Sequence, residues 1–431
     1  MSKKDYQIIG KKDSKKLAQF LSKEGQLLLP MLELITQAEM AVDELIDLTG
    51  RAAIEAVLTL SAQEVAGAKH QGKAGGSIGW HGSQKGVVPL SDRKLRVDKP
   101  RLRRKGKGQQ KEVEIPAYEA MLGNSRLGGR ILEILMKGVS TRHYQEVIPQ
   151  MAETAGVSKS QVSREFVEAS EQELKQLCER RFDEKRFLVI YIDGIQFGDC
   201  HVIVAVGVDS DGYKHVLGLR EGASENHQVA QDLLTDLTER GVDPKCRYLF
   251  VIDGSKALRK AIDSVFGRQN PVQRCRNHKV ANVMSYLPED LKDQIKSSMK
   301  AAFKLETAQG KAKLEQMAQW LEKEHPSAAA SLREGLSEMF TINTLELPSS
   351  LRRCLGSTNV IESPNSGIRN RTRRVKNWQD AGMVVRWVAA SLLDMEKRFR
   401  RIMGHQQLWI LEAHLDELAQ DKKLARKGKV A

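Results

Sequence analysis

Apolar residues recur at three-to-four spacing over residues 14–70. Leu17, Phe20 and Leu21 open a stripe, and Leu45, Leu48, Ala52 and Ala56 continue one, the period of a helix. Between residues 69 and 86 the pattern breaks at Gly72, Gly75, Gly76, Gly79 and Gly82, which predicts a flexible loop or linker, followed by short strands near 87–90 and 95–97. Helical spacing returns over 117–175, with helices expected at 117–137 and 140–154. A tight turn at Ala155-Gly156-Val157 follows, then a further helix capped by Ser158, with Gln161 completing a Ser-x-x-Gln box. Val162 and Phe166 sit four apart and face inward on that helix. The arrangement reads as a helix-turn-helix unit, with an ordinary helical hairpin as the alternative.

From residue 186 the period changes. Continuous apolar runs at 187–192, 201–208, 214–219 and 248–252 have strand length, and Asp209-Ser-Asp-Gly212 marks a turn. Helices are expected at 225–240, where Val229, Leu233, Leu234 and Leu237 share a face, and at 256–266, with a short strand at 271–274. The order β-β-β-α-β-α-β predicts an α/β domain with a mixed sheet and helices on its faces, the order of the ribonuclease-H-like fold. Beyond it, 287–305, 308–323 and 328–339 read as helices, as does a C-terminal segment at 407–418. Trp320 falls in this region, read as a core residue of an amphipathic helix or, should the partner be nucleic acid, as a platform that stacks near its ends.

The chain has 431 residues, room for two to four domains, and is 41% hydrophobic. Its net charge of +14, with a pI near 9.4, predicts a polyanionic partner, most often nucleic acid. No apolar run reaches the roughly 18 residues of a membrane helix, and the polar, Lys-rich N-terminus shows no hydrophobic signal segment. Five scattered cysteines argue against a disulfide framework and for a reducing compartment. The most basic window is 93–107, with Arg93, Lys94, Arg96, Lys99, Arg101, Arg103, Arg104, Lys105 and Lys107 against one acid, Asp98. On a two-residue period Lys94, Arg96 and Arg104 share one face, and Arg93, Lys99, Arg101 and Arg103 the other. Such a ribbon can track phosphates. On the helix after Gly156, Lys159, Ser160, Gln161, Ser163 and Arg164 are types suited to base edges and phosphates.

Two strands share an ending: Leu-Val-Ile-Tyr-Ile-Asp193-Gly and Leu-Phe-Val-Ile-Asp253-Gly. Asp-Gly after a strand is often simply a turn, as at Asp211-Gly212. Occurring on two neighbouring buried strands, the pair favours carboxylates that converge on hard cations, Mg²⁺ or Mn²⁺, two of which can activate an attacking oxygen and stabilise a leaving one. Glu362 supplies a third carboxylate. Arg369, Arg371, Arg373, Arg374 and Lys376 follow it, with Arg369 and Arg373 on one helical face. Cys275 and His278 form half a zinc site. No second pair has matching spacing, so structural zinc is not expected.

In their order, these motifs resemble the Mutator-type transposases of bacterial insertion sequences, at least from 191 to about 400. The matching motifs include Asp193-Gly, 208–219, Gly222 to Asn226, Asp253-Gly, Cys275-Arg-Asn-His278 and Thr358-Asn-Val-Ile-Glu362-Ser-Pro-Asn-Ser-Gly-Ile-Arg369. The resemblance implies an Asp-Asp-Glu triad at Asp193, Asp253 and Glu362 holding two Mg²⁺ or Mn²⁺ ions, with His278 orienting the scissile phosphate or a water. A buried Cys beside a helix-start His is the plainer reading of that last motif. It further implies phosphodiester hydrolysis and strand transfer on terminal inverted repeats and target DNA. A homodimer or larger synaptic assembly is expected, in a bacterial cytoplasm at the nucleoid, with no membrane partner. Pro364 departs from the family, which has an apolar residue there, and predicts a helix starting near Ser363 with Glu362 at or before its N-terminus. The expected domains are an N-terminal helical region (1–70), a Gly-rich loop with a basic ribbon (71–116) and a helix-turn-helix domain (117–182). A catalytic core in two parts (183–280 and 356–403), split by an all-α insertion (281–355), precedes a C-terminal helix and basic tail (404–431). The competing readings are a non-catalytic helix-turn-helix DNA-binding protein and a ribonuclease-H-like nuclease or resolvase that cuts without joining.

Overall fold

The structure is a computed structural model that describes residues 42–69, 71, 76–90, 94–104, 112–123, 127–137, 154–155, 159–222 and 226–427. The chain divides into two compact units, one of residues 1–135 with 139–166, the other of 136–138 with 167–431.

In the first unit, α1 (Val42–Ala66) precedes a ribbon of β1 (Ile78–Pro89) and β2 (Lys94–Arg104), which is extended by β3 (Glu112–Val113). Helices α2 (Pro116–Gly123) and α3 (Leu127–Met136) follow, then β4 (Thr154–Ala155) and α4 (Lys159–Glu179), whose residues from Val167 on belong to the second unit. Leu58, Ala62 and Ala66 on α1 pack with Val88, Leu95, Val97 and Leu102 of the ribbon. Much of the expected glycine loop is therefore strand. Gly82, with φ of +89°, sits where the β1–β2 register slips between Trp80 and Ser83, and a Cβ on Gly86 would stand 3.2 Å from the Tyr118 ring. The glycines serve a bulge and a close approach, which composition alone reads as a linker.

The two faces expected for the basic ribbon also change. Leu95, Val97, Pro100 and Leu102 are the buried positions of β2, so the inward parity switches between Val97 and Pro100. Lys94, Arg96, Lys99, Arg101 and Arg103 thus all lie outside that buried set. The helix-turn-helix expectation is altered at one point. Thr154 and Ala155, expected as helix end and turn, instead pair antiparallel with Leu95 and Lys94 of β2. A β-branched Thr beside an open strand edge finds backbone partners there. Arg93, the expected helix 140–154 apart from Thr154, and the cap Ser158 lie outside the described residues, as do 14–41.

The second unit holds a five-stranded mixed sheet in the order β7-β6-β5-β8-β9. It comprises β5 (Phe187–Phe197), β6 (Cys200–Asp209), β7 (Lys214–Gly222), α5 (His227–Glu239), β8 (Leu249–Ile252), α6 (Lys256–Val265) and β9 (Val272–Arg274). β5, β6 and β7 run antiparallel, while β8 and β9 join parallel to β5. Both faces are covered. Ile190, Ile192, Ile203, Leu217, Phe250 and Ile252 pack with Leu233, Leu237, Leu258 and Ile262 of α5 and α6. Val189, Tyr191, Val204 and Val251 face Ile361, Ile368, Val388 and Leu411 from later helices. A sheet buried on both sides is why its strands read as unbroken apolar runs. At the β6–β7 turn Gly212 has φ of +85° and lies against His405, where a Cβ would fall 2.4 Å from that side chain.

Between β9 and the last part of this unit lie α7 (Arg276–Met284), α8 (Glu289–Ala302), α9 (Thr307–Leu321), α10 (Pro326–Arg333), α11 (Thr341–Thr344) and α12 (Ser349–Leu355). Helices α7 to α10 share their own core around Val283, Met299, Leu314, Leu332 and Phe340, while Ile342 of α11 and Leu351 and Leu355 of α12 pack with the sheet. Trp320 is 55% exposed on α9, so the core reading of this residue is overturned: the buried stripe of α9 is Gly310, Leu314, Ala318 and Leu321. The chain then forms α13 (Asn359–Thr372), α14 (Ala381–Glu396) and α15 (Leu408–Lys427). Among the described residues, no helix is long and apolar enough to cross a membrane.

Candidate active site

β5 continues four residues past Asp193, and Asp193 and Gly194 pair with Val204 and Ile203 of β6. The expected strand end at Ile192 is thus a mid-strand position, because β6 keeps pairing to Cys200. Only β8 stops at its acid. The parallel register sets Val189 beside Leu249 and Tyr191 beside Val251. Two residues further along each strand come Asp193 and Asp253, so the register that pairs the strands also sets the acids side by side.

Burial, and next the Asp253 carboxylate, push the Asp193 carboxyl up to about 6, opposed by the Gly194 N–H, His278 and Asn365. Asp253 accepts from the Ser255 N–H at 2.8 Å, and Ser255 caps α6 through the Leu258 N–H. Gly254 turns the chain between them with φ of +111°, against the Arg274 guanidinium. Arg274 in turn reaches Glu334 at 3.1 Å.

Glu362 lies within the first turn of α13, which starts at Asn359 and carries Pro364 inside it. The expectation that the helix starts near Ser363 is thereby corrected. The N–H groups of Ile361 and Glu362 both bond the Thr358 carbonyl at 2.9 Å, closing the turn ahead of the proline, which leaves only the Val360 carbonyl without its usual N–H. Pro364 itself is buried.

His278 is the third residue of α7, with its Nδ1 3.8 Å from Glu362 Oε1 and 3.3 Å from the Thr358 hydroxyl. The hydrogen bond between its ring and the Cys275 thiol raises its pKa to about 9, against burial, with Cys275, Glu362 and Asp193 adding to the rise. Burial raises the Cys275 thiol, but hydrogen bonds from His278 and Thr358 outweigh it and leave the pKa lowered. The fully buried Cys275 sulfur accepts from the His278 N–H at 3.5 Å and the Thr358 N–H at 3.4 Å. It therefore ties together the starts of α7 and α13. Thr358 also contacts Glu362 through its hydroxyl. Sequence spacing did not single out Thr358, although it lies within the quoted motif.

Among the described residues, Cys275, His278 and Glu362 form a group whose potential ligand atoms lie within 4.8 Å of one another. The sulfur already serves as a hydrogen-bond acceptor between two helix starts, which fits a structural joint better than a metal ligand. The oxygen donors at the sheet suit a hard cation. Asn365 donates to Asp193 Oδ2 at 2.7 Å, while its own buried Oδ1 has no hydrogen-bond partner among the described residues. Two adjacent carboxylates and an unsatisfied amide oxygen match Mg²⁺ or Mn²⁺ chemistry.

The other candidate residues are spread over the chain. Arg369, Arg373, Arg374 and Lys376 are exposed at and beyond the end of α13, whereas Arg371 turns to Asp394 of α14 at 2.7 Å and belongs to the packing of those helices. In the first unit Arg96 and Arg104 are exposed and Lys94 is half-buried. Arg101 and Arg103 face Glu112. Lys159 begins α4, where Ser160 and Arg164 are exposed, Gln161 bonds Glu165, and Val162 and Phe166 are buried as expected.

Residues 23–402 match the transposase family described as "Transposase, Mutator family". The chain is similar to the transposase for insertion sequence element IS406 of Burkholderia multivorans, at 28% identity over 62% of this chain and 69% of that protein. It is also similar to that of ISRM5 from Rhizobium meliloti, at 26% identity over 68% of this chain and 73% of that one. The transposase of IS256 in transposon Tn4001 from Staphylococcus aureus is 26% identical over 62% of this chain and 69% of its own length. With its matching stretch covering most of its length, the chain belongs to the Mutator family of transposases.

Proposed function

We propose that this protein is a DNA transposase of the Asp-Asp-Glu type with a ribonuclease-H-like core, acting on the terminal inverted repeats of a mobile element. The observation that carries this reading is the register that aligns Asp193 with Asp253, with Asn365 of the helix that bears Glu362 bonded to Asp193. Asp193, Asp253 and Glu362 would hold two Mg²⁺ or Mn²⁺ ions, which when bound activate the attacking oxygen and stabilise the leaving one. Water attacks the phosphorus at the element's end and the 3′ oxygen leaves as a hydroxyl. That hydroxyl then attacks a target phosphodiester and displaces its 3′ oxygen. His278, cationic below about pH 9, offers a proton donor to a phosphate oxygen. Asn365 holds Asp193 in place.

End binding is assigned to the outward basic residues of β2 and to the start of α4, with Lys159, Ser160, Gln161 and Arg164. Bringing two ends together requires a dimer or larger assembly. The test is incubation with Mg²⁺ and duplexes carrying a candidate end. Wild type cuts and joins, while Asp253→Asn and Glu362→Gln are slowed by more than about a hundredfold with end binding retained. Unimpaired cutting by Asp253→Asn refutes the triad. Cut but never joined DNA favours the nuclease reading. The non-catalytic reading, motivated by Pro364, predicts end binding with no Mg²⁺-dependent cutting and indifference to Glu362→Gln.

A further inference from the structure

We infer that the groove between α7, the end of α8 and α12 is a track for a DNA phosphodiester backbone leading to the carboxylate site. The polymer's identity rests on the transposase reading above. The charge argument does not.

The groove has a volume of about 710 Å³ and is lined by five cations, Arg276, Lys300, Lys304, Arg352 and Arg353. None of its lining residues is acidic. One end is closed by Asn277, whose amide donates to the Asn359 side chain at 3.1 Å. Asn277 precedes His278 in the chain and Asn359 begins the helix that carries Glu362, so this end of the groove abuts the site. Lys300, Lys304 and Arg353 are exposed, and Arg352 has Glu306 no nearer than 4.0 Å. Arg276 lies half-buried, its guanidinium 4.9 Å from the Phe303 ring. Burial, and after it the charge of Arg352, lower its pKa to about 10, and its guanidinium donates to the Met339 carbonyl and the Asn343 side chain.

A second cleft of the same unit shows the contrast. It has a volume of about 810 Å³ and runs along α6 past Gly254, but Asp263, Glu334 and Glu338 line it. There Arg259 reaches Asp263 at 3.2 Å and Glu338 at 3.4 Å, while Arg333 reaches Glu315 and Glu322 at 2.8 Å. Acids line that cleft beside its cations, whereas none lines the groove. Cations on three segments of the chain, beside a proposed phosphodiester-cleaving site, fit a repeating anion better than a single one.

The test uses the full chain with Lys300→Glu, Lys304→Glu and Arg353→Glu combined. A charge-matched control combines Lys185→Glu, Lys245→Glu and Lys323→Glu, exposed positions outside the groove. Both are checked for native thermal unfolding. Binding to a mixed-sequence single-stranded oligonucleotide and to a blunt duplex is measured across salt concentration. The groove variant is expected to lose at least about tenfold in affinity. Its log–log salt slope should fall by about 2 on the single strand, three contacts at about 0.7 each, while the control stays near wild type. Equal losses in the two variants, or no loss in either, overturn the track. Loss only in the groove variant from a wild type that never cuts DNA with Mg²⁺ leaves the track standing and sinks the Asp-Asp-Glu reading. A wild type that cuts, beside a groove variant that binds and cuts equally well, does the reverse.

Discussion

The side-chain amide of Asn365 donates to Asp193 at 2.7 Å, fastening the second turn of α13 to the middle of β5. Asp193 is thus oriented by the helix that carries Glu362. Asn365→Ala is expected to leave DNA binding unchanged and to slow Mg²⁺-dependent cutting by about 10- to 100-fold, the usual effect of losing a residue that orients a metal ligand. The half-saturating Mg²⁺ concentration should rise as well. Unchanged cutting across a Mg²⁺ titration would show that Asp193 holds its position alone.

Two groups make the metal-free protein less stable as pH rises. Asp193 titrates near 6 in the fold against 3.8 for an ordinary carboxyl, so the folded state binds the extra proton and stability falls as pH climbs through that window. His278 titrates near 9 against 6.5, so its contribution is full below 6.5 and is lost through 9. Asp193→Asn should therefore unfold at higher temperature than wild type at pH 8 without Mg²⁺, by up to about 3 kcal/mol, and match it near pH 4. Added Mg²⁺ should narrow the gap by stabilising wild type alone. An Asn variant no more stable than wild type at pH 8 would contradict the carboxylate crowding.

Thr358 is fully buried at the start of α13, with its hydroxyl against Glu362 and its N–H on Cys275. Replacing it with Val keeps the branched shape and deletes the hydroxyl. Urea unfolding is expected to show a loss of about 1–2 kcal/mol, with Thr358→Ser retaining most of the stability. Equal losses for Val and Ser would assign the effect to packing.

Gly254 and Gly267 both have positive φ, +111° and +87°, yet their surroundings differ. A Cβ at Gly267 meets open space, and Gly267→Ala should cost about 1 kcal/mol from backbone strain alone. At Gly254 the Cβ would fall 2.0 Å from the Arg274 Nε, in a pocket where Arg274 is buried. Gly254→Ala should cost about 3 kcal/mol or more and disturb Asp253 beside it. Chemical denaturation of the two variants side by side checks the order.

The central sheet and its acids are legible in the chain because burial on both faces writes each strand as a continuous apolar run. The insertion helices are legible through their period, although the solvent-facing side of α9 was assigned wrongly at Trp320, since a lone large aromatic carries no mark of direction. The segment around Gly79–Gly86 misled because glycine at a bulge and glycine in a linker look alike until the partner strand is known. The end of β5 misled for a related reason: Asp-Gly reads as a turn, yet β6 goes on pairing past it. The helix around Pro364 was set too late because the Thr358 carbonyl, which closes the turn upstream, is invisible to spacing. Nothing local in the sequence links Asn365 to Asp193, or Arg371 to Asp394, across so many residues.

Helices α7 to α10 close around their own apolar centre, while the Cys275 sulfur clamps the starts of α7 and α13 together. Lengthening or trimming a turn inside that body leaves both roots where they were. The count of residues between Asp253 and Glu362 can therefore change without moving either one. Distant kin are better recognised by which two strands lie abreast than by counting along the chain.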